Sequence, residues 1–208
     1  MLHREAVEGR TFALLEELMK INSLKDFSLV GGTALALLLG HRKSLDIDLF
    51  NVSLFSVSDL QRKIKEELGS RITIRSSEKN PLGVFGHFET IKLDLCKHPY
   101  PLLKPAQTIE GIRMWSLEDI AASKVYAIAA RATKKDFWDL DILLETFTPL
   151  QVAEFYHDRY NQVLAISVAK MLTYFDEAEE SETPVCLRKK TWKQIKKDIS
   201  KKINKTVK

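Results

Sequence analysis

Cysteine is scarce: Cys96 and Cys186 are the only two in 208 residues. Their separation matches no metal-ligand spacing, so a cysteine zinc site is excluded. The opening MLHREAVEGR is polar and charged, and lacks the apolar core of a secretory signal. No apolar run is long enough to span a bilayer. The expectation is a cytoplasmic protein with no membrane association, in a reducing compartment where both cysteines stay plain thiols. No internal repeat is visible. What is present is an ordinary globular balance, 45% hydrophobic and 29% charged residues, enough to bury a core in one domain or two small ones.

The net charge of +4 hides an asymmetry. Arg188 to Lys208 holds ten basic residues and one acid, Asp198, a local charge of +9 that leaves −5 for the rest. Such a tail either meets an anionic surface, nucleic acid among them, or is simply solvated.

Apolar spacing predicts an amphipathic helix over Arg4 to Met19 and a short strand over Phe27 to Val30, stopped by Gly31-Gly32. A helix follows from Thr33 to Gly40, then a strand from Leu45 to Phe50 and a helix from Ser58 to Leu68. Strands are predicted at 71–75, 84–89 and 90–95, the last two forming a possible hairpin. From Ser116 the texture is helical. Ser116 and Asp119 form a capping box for a helix to about Arg131. Helices follow over Lys134 to Glu145, from Thr148-Pro149, and over Asn161 to Phe175. DEAEESETP reads as an acidic linker. Trp192, Ile195, Ile199 and Ile203 recur at helical spacing on a lysine-rich background. The expected organisation is an α/β domain over 1–112, a helical domain over 113–176, and an acidic linker with a basic amphipathic helix over 177–208.

Within this frame Asp46 and Asp48 alternate with aliphatics in LDIDLF, so a strand would set both carboxylates on one face. Such a pair either decorates an edge strand for solubility or binds a divalent cation. Gly31-Gly32-Thr33 lies at a strand-to-helix junction, either a plain turn or a close approach for phosphate. Asp94, flanked by aliphatics in IKLDLC, is costly to bury unless paired with a cationic side chain or a metal.

Together, LVGGTALALLLGHRKSLDIDLF, with twelve residues between Thr33 and Asp46, and the later Asp94 strand resemble the DNA polymerase β nucleotidyltransferase signature. The chain is more specifically similar to the AbiEii/AbiGii toxin family, whose helical motif is matched by LEDIAASKVYAIAARATKKDFWDLDILL. That resemblance implies an α+β fold: a polymerase β-like domain, a mixed sheet flanked by helices, followed by a helical domain. It implies transfer of a nucleotide from an NTP to a hydroxyl, with RNA, and tRNA in particular, as acceptor and a cognate antitoxin as partner. It implies that Asp46, Asp48 and Asp94 hold two Mg2+ ions, Asp94 also helping to deprotonate the hydroxyl. Gly31, Gly32, Thr33 and Ser44 would serve the triphosphate, with Arg42 on phosphate or on an aspartate and Lys124 as a catalytic phosphate contact. Arg131 shares that helix face. Asp136 and Asp139 would position Lys124 or the base, or pair with Lys134, Lys135 or Arg131. Two other readings stay open: a non-catalytic nucleotide-binding or regulatory module, and an enzyme acting on a protein or an aminoglycoside-like small molecule.

Overall fold

The computed structural model describes residues 1–161 and 165–206. Its centre is a seven-stranded mixed sheet in the order β3-β4-β5-β2-β1-β7-β6. The strands are β1 Ser28–Leu29, β2 Ile47–Asn51, β3 Ile72–Ile74, β4 Gly83–Phe88, β5 Ile91–Lys97, β6 Gln107–Ile109 and β7 Ile112–Met114. β2 runs parallel to β5, and β1 parallel to β7; the other pairs are antiparallel. The helices are α1 Gly9–Leu18, α2 Gly31–Leu39, α3 Val57–Leu68, α4 Leu117–Arg131, α5 Lys134–Thr146, α6 Pro149–Tyr160, α7 Ala165–Met171 and α8 Trp192–Thr206. This is the mixed sheet flanked by helices, with a helical C-terminal region, that the sequence implied.

Local chemistry sets the helix boundaries. The Ser116 hydroxyl accepts from the Asp119 amide at 3.1 Å, opening α4. Thr133 with Asp136 and Thr148 with Gln151 form reciprocal capping boxes for α5 and α6. Gly40, with φ of 59°, ends α2 in the left-handed region that a side chain resists.

Two apolar clusters hold these elements. In one, Leu15, Leu18, Leu35 and Ile64 of the helices pack on Ile47, Leu49 and Leu93 of the sheet. In the other, Phe137, Trp138 and Val152 pack with Ile195, Ile199 and Ile203 of α8. Each fully buried aliphatic contributes about 1.5–3 kcal/mol relative to exposure. Phe147 and Phe155 touch both clusters.

The structure departs from the sequence reading at particular points. The first helix starts at Gly9 because a 3-10 turn over Arg4–Ala6 gives way to extended backbone at Val7. β2 starts two residues late: Leu45 is 56% exposed and Asp46 precedes the ladder. The β6–β7 hairpin was not anticipated; Glu110 and Gly111 turn it with positive φ. In the helix expected over Asn161 to Phe175, residues 162–164 lie outside the described residues, and the helix observed is α7. Both cysteines are free.

Candidate active site

The parallel register of β2 and β5 sets Asp48 directly beside Asp94. Partners in neighbouring strands point to one face about 4.8 Å apart, so two carboxylates share a confined patch. Asp46 joins them from the residue before the strand begins. Asp94 accepts an ion-paired hydrogen bond from Lys92 Nζ at 2.5 Å on one oxygen. Its other oxygen, Oδ1, is buried without a partner. Asp46 has Lys135 Nζ at 3.9 Å. Burial, then the charges of Asp94 and Asp46, push the proton affinity of Asp48 up, with Lys92 and Lys124 only partly offsetting them. Among the described residues no three acidic, histidine or cysteine side chains already form a metal-binding group. The donor set nonetheless suits a hard divalent cation, which would take the orphaned Asp94 oxygen and relieve the crowding at Asp48.

The glycine turn accommodates this patch. Gly31 has φ of 68°, and a Cβ there would lie 3.1 Å from Asp48 Oδ2. A Cβ on Gly32 would collide with the Arg42 guanidinium. Thr33 faces inward: its hydroxyl donates to the Asp46 carbonyl and shares a 2.9 Å hydrogen bond with Ser44 Oγ. These two hydroxyls fasten the loop that presents Asp46.

Arg42 passes under Gly32 to reach α5. Its Nε and Nη2 donate to Asp139 at 2.6 and 2.9 Å. His41 Nε2 also bonds Asp139, at 2.7 Å, and Lys124 Nζ lies 2.5 Å away. Lys124 further reaches Asp136 at 3.3 Å, which also accepts from Arg131 Nε at 3.1 Å and Thr133 Oγ1 at 2.6 Å. The two aspartates therefore hold Lys124 and also pair with Arg42 and Arg131, combining the two roles the sequence left open. Burial works to protonate both. At Asp136 the Lys124 charge and the Arg131 and Thr133 hydrogen bonds outweigh it, lowering the pKa to about 2. At Asp139 burial is overcome by Arg42, Lys124 and His41, which hold the carboxyl well below its usual range. Burial lowers the pKa of His41 and favours its neutral form. Three cations against two anions leave this network at +1.

A cleft of about 660 Å³ lies between the carboxylates and this network. Asp46, Asp48 and Ser44 line it together with Lys124, Arg131 and Lys135. Gly32 and Arg42 also reach its wall, whereas Gly31, Thr33, Asp94, Asp136 and Asp139 lie behind it. Glu182, Thr183 and Pro184 of the stretch read as an acidic linker, with Val185 after it, line the cleft as a strap. No periodicity in that acidic, turn-prone stretch announced it. Lys92 and Lys43 were also missed, and Lys135, named as a partner for Asp136 or Asp139, lies instead 3.9 Å from Asp46. Lys92 was the readable one, since it shares a strand face with Asp94 at the i−2 position.

The arrangement sets carboxylates beside fixed cations, on a fold with known counterparts. JHP933 from Helicobacter pylori superposes with a TM-score of 0.58 at 18% identity, covering 95% of this chain and 92% of that one. MenT4, a nucleotidyltransferase toxin from Mycobacterium tuberculosis, superposes at 0.56 and 15% identity, covering 94% and 84%. In sequence, the uncharacterised protein aq_aa25 of Aquifex aeolicus is 32% identical over 172 residues, 80% of this chain and 82% of that protein. The family described as nucleotidyl transferase AbiEii toxin, type IV toxin–antitoxin system, matches residues 13–205. With that match across the site and both halves of the fold, the chain belongs to the AbiEii family of nucleotidyltransferase toxins.

Proposed function

We propose that this nucleotidyltransferase moves a nucleotide from an NTP to a hydroxyl of RNA, with tRNA as the foremost acceptor; the hydroxyl oxygen bonds to the α-phosphorus, the α–β anhydride bond breaks and pyrophosphate leaves. Asp46, Asp48 and Asp94 are the residues that would hold two Mg2+ ions, and the observation that carries this is the Asp48–Asp94 register with its unpartnered Asp94 oxygen. Bound there, Mg2+ supplies charge neutralisation of the phosphates and activation of the attacking oxygen. Asp94 takes the hydroxyl proton once Lys92 yields its hydrogen bond. Gly31, Gly32 and Ser44 leave room for the triphosphate beside the N-terminus of α2. Lys124, Arg131 and Lys135 balance its charge across the cleft, with Asp136 and Asp139 fixing Lys124. Arg42 serves as a brace rather than a phosphate ligand, because Asp139 takes its Nε and Nη2 and the Lys43 carbonyl takes its Nη1.

The acceptor assignment draws on α8. Lys193, Lys197, Lys201 and Lys205 are exposed, four residues apart on one face and about 6 Å from step to step. A type IV toxin–antitoxin family also implies a cognate antitoxin, encoded beside the toxin gene.

The test is incubation with each labelled NTP, Mg2+ and total RNA or cell lysate, beside the Asp46→Ala/Asp48→Ala variant. Label on RNA that disappears in the variant is the expected result. Label on protein or on a small molecule reassigns the acceptor. NTP binding without turnover on any acceptor overturns the catalytic reading in favour of a binding module.

A further inference from the structure

We infer that Leu45, Pro184 and Val185 form the seat for the nucleobase of the incoming nucleotide, making the strap a substrate-binding element. The inference rests on the nucleotidyl-transfer reading of the cleft and deepens it.

A nucleotide presents two unlike surfaces, a polyanion and a flat apolar ring. The cleft matches the first with Lys124, Arg131 and Lys135. For the second, Leu45, Pro184 and Val185 are the apolar side chains among the described residues that line it. Leu45 is 56% and Val185 65% exposed, although the central aliphatics of the sheet, Ile47, Leu49, Leu93 and Leu95, are all buried. An apolar pair left open beside charged walls fits a ring that arrives already attached to phosphate.

The strap is anchored at both ends. The Lys134 amide donates to Ser181 Oγ at 2.8 Å, tying its start to the head of α5. Beyond it, the Lys43 amide donates to the Val185 carbonyl and the Leu187 amide to the His41 carbonyl, each at 2.9 Å. Val185 is thus bonded three residues from Asp46, at most about 11 Å of extended chain. That is the neighbourhood in which a base lies when its own α-phosphate sits at the carboxylates. Contact through hydrophobic faces carries no base-edge code, so all four NTPs gain from it.

The experiment compares binding of each NTP and of inorganic tripolyphosphate, with Mg2+, to the wild type and to Leu45→Ser/Val185→Ser. Both positions are exposed, so an unchanged melting temperature is expected. NTP affinity should fall about tenfold, the effect of losing two partly buried aliphatic contacts, while tripolyphosphate affinity stays level. Val185→Phe should tighten NTP binding severalfold by enlarging the stacking surface. Unaltered NTP affinity in the double variant overturns the inference and leaves the phosphate wall standing. A raised KM for acceptor RNA with NTP affinity unaltered overturns it too, by assigning the wall to the acceptor. If the wild type binds neither NTP nor tripolyphosphate, the nucleotidyl-transfer reading of the cleft falls first and takes the base seat with it.

Discussion

At the residue scale the most demanding position is Asp139, fully buried with Arg42, Lys124 and His41 around it. Asp139→Asn leaves the buried Arg42 without a counter-charge and Lys124 with Asp136 alone, and is expected to cost about 3–5 kcal/mol in urea unfolding. Asp136→Asn should cost less, because its partner Arg131 is 54% exposed and can turn to water. The same pair sets an acid limb. Both carboxyls have pKa values depressed below the ordinary 3.8. Their stabilisation is therefore present above that value and lost as pH falls toward about 2, where Asp136 titrates. Acid unfolding followed by circular dichroism should show this loss in the wild type and a shallower limb in Asp136→Asn. Gly32→Ala tests the passage beneath the turn: its methyl displaces the Arg42 guanidinium. Loss of both stability and turnover is expected, and retention of wild-type stability would show that Arg42 has another route to Asp139.

Among the elements, α8 illustrates what a sequence can declare. Trp192, Ile195, Ile199 and Ile203 share one face by spacing alone, and the three isoleucines are at most 2% exposed. Ile199→Ala should destabilise the fold by about 2–5 kcal/mol, whereas Lys197→Ala on the opposite face should stay within roughly 0.5 kcal/mol. Thermal or urea unfolding of the two variants distinguishes a docked helix from a loose tail. Caps were equally readable, since Ser116–Asp119 and Thr148-Pro149 act within a few residues. The β6–β7 hairpin was not, because three-residue strands carry too little alternation and the Glu110–Gly111 turn is brief. The strap was illegible for a different reason. Its partner is the 41–43 loop, at the other end of the chain, and nothing local in an acidic segment encodes that pairing. Asp46, Asp48 and Asp94 were singled out through their pattern, yet the pattern could not say that Lys92 would hold Asp94 or that Asp46 would stand outside the strand.

Across the whole molecule, charge is sorted rather than spread. Asp48 and Asp94 meet at β2 and β5, the buried Lys124 stands on α4 and the buried Arg42 in the loop after α2, and the surplus lysines line the outer face of α8. Among the described residues, Lys193, Lys197, Lys201 and Lys205 have no ion-pair partner, so they are available to phosphates. Replacing all four with Ala should lower the slope of log RNA affinity against log salt by about 3, for single-stranded contacts. An unchanged slope would place the RNA on another surface. No helix of the described residues is long and apolar enough to cross a membrane. The route of Arg42 beneath Gly32 to Asp139 and Lys124 has a consequence for inheritance. One half of the chain contributes the arginine and its gap, and the other the counter-charge, so a chimera that joins the halves of two relatives must carry these residues as a set.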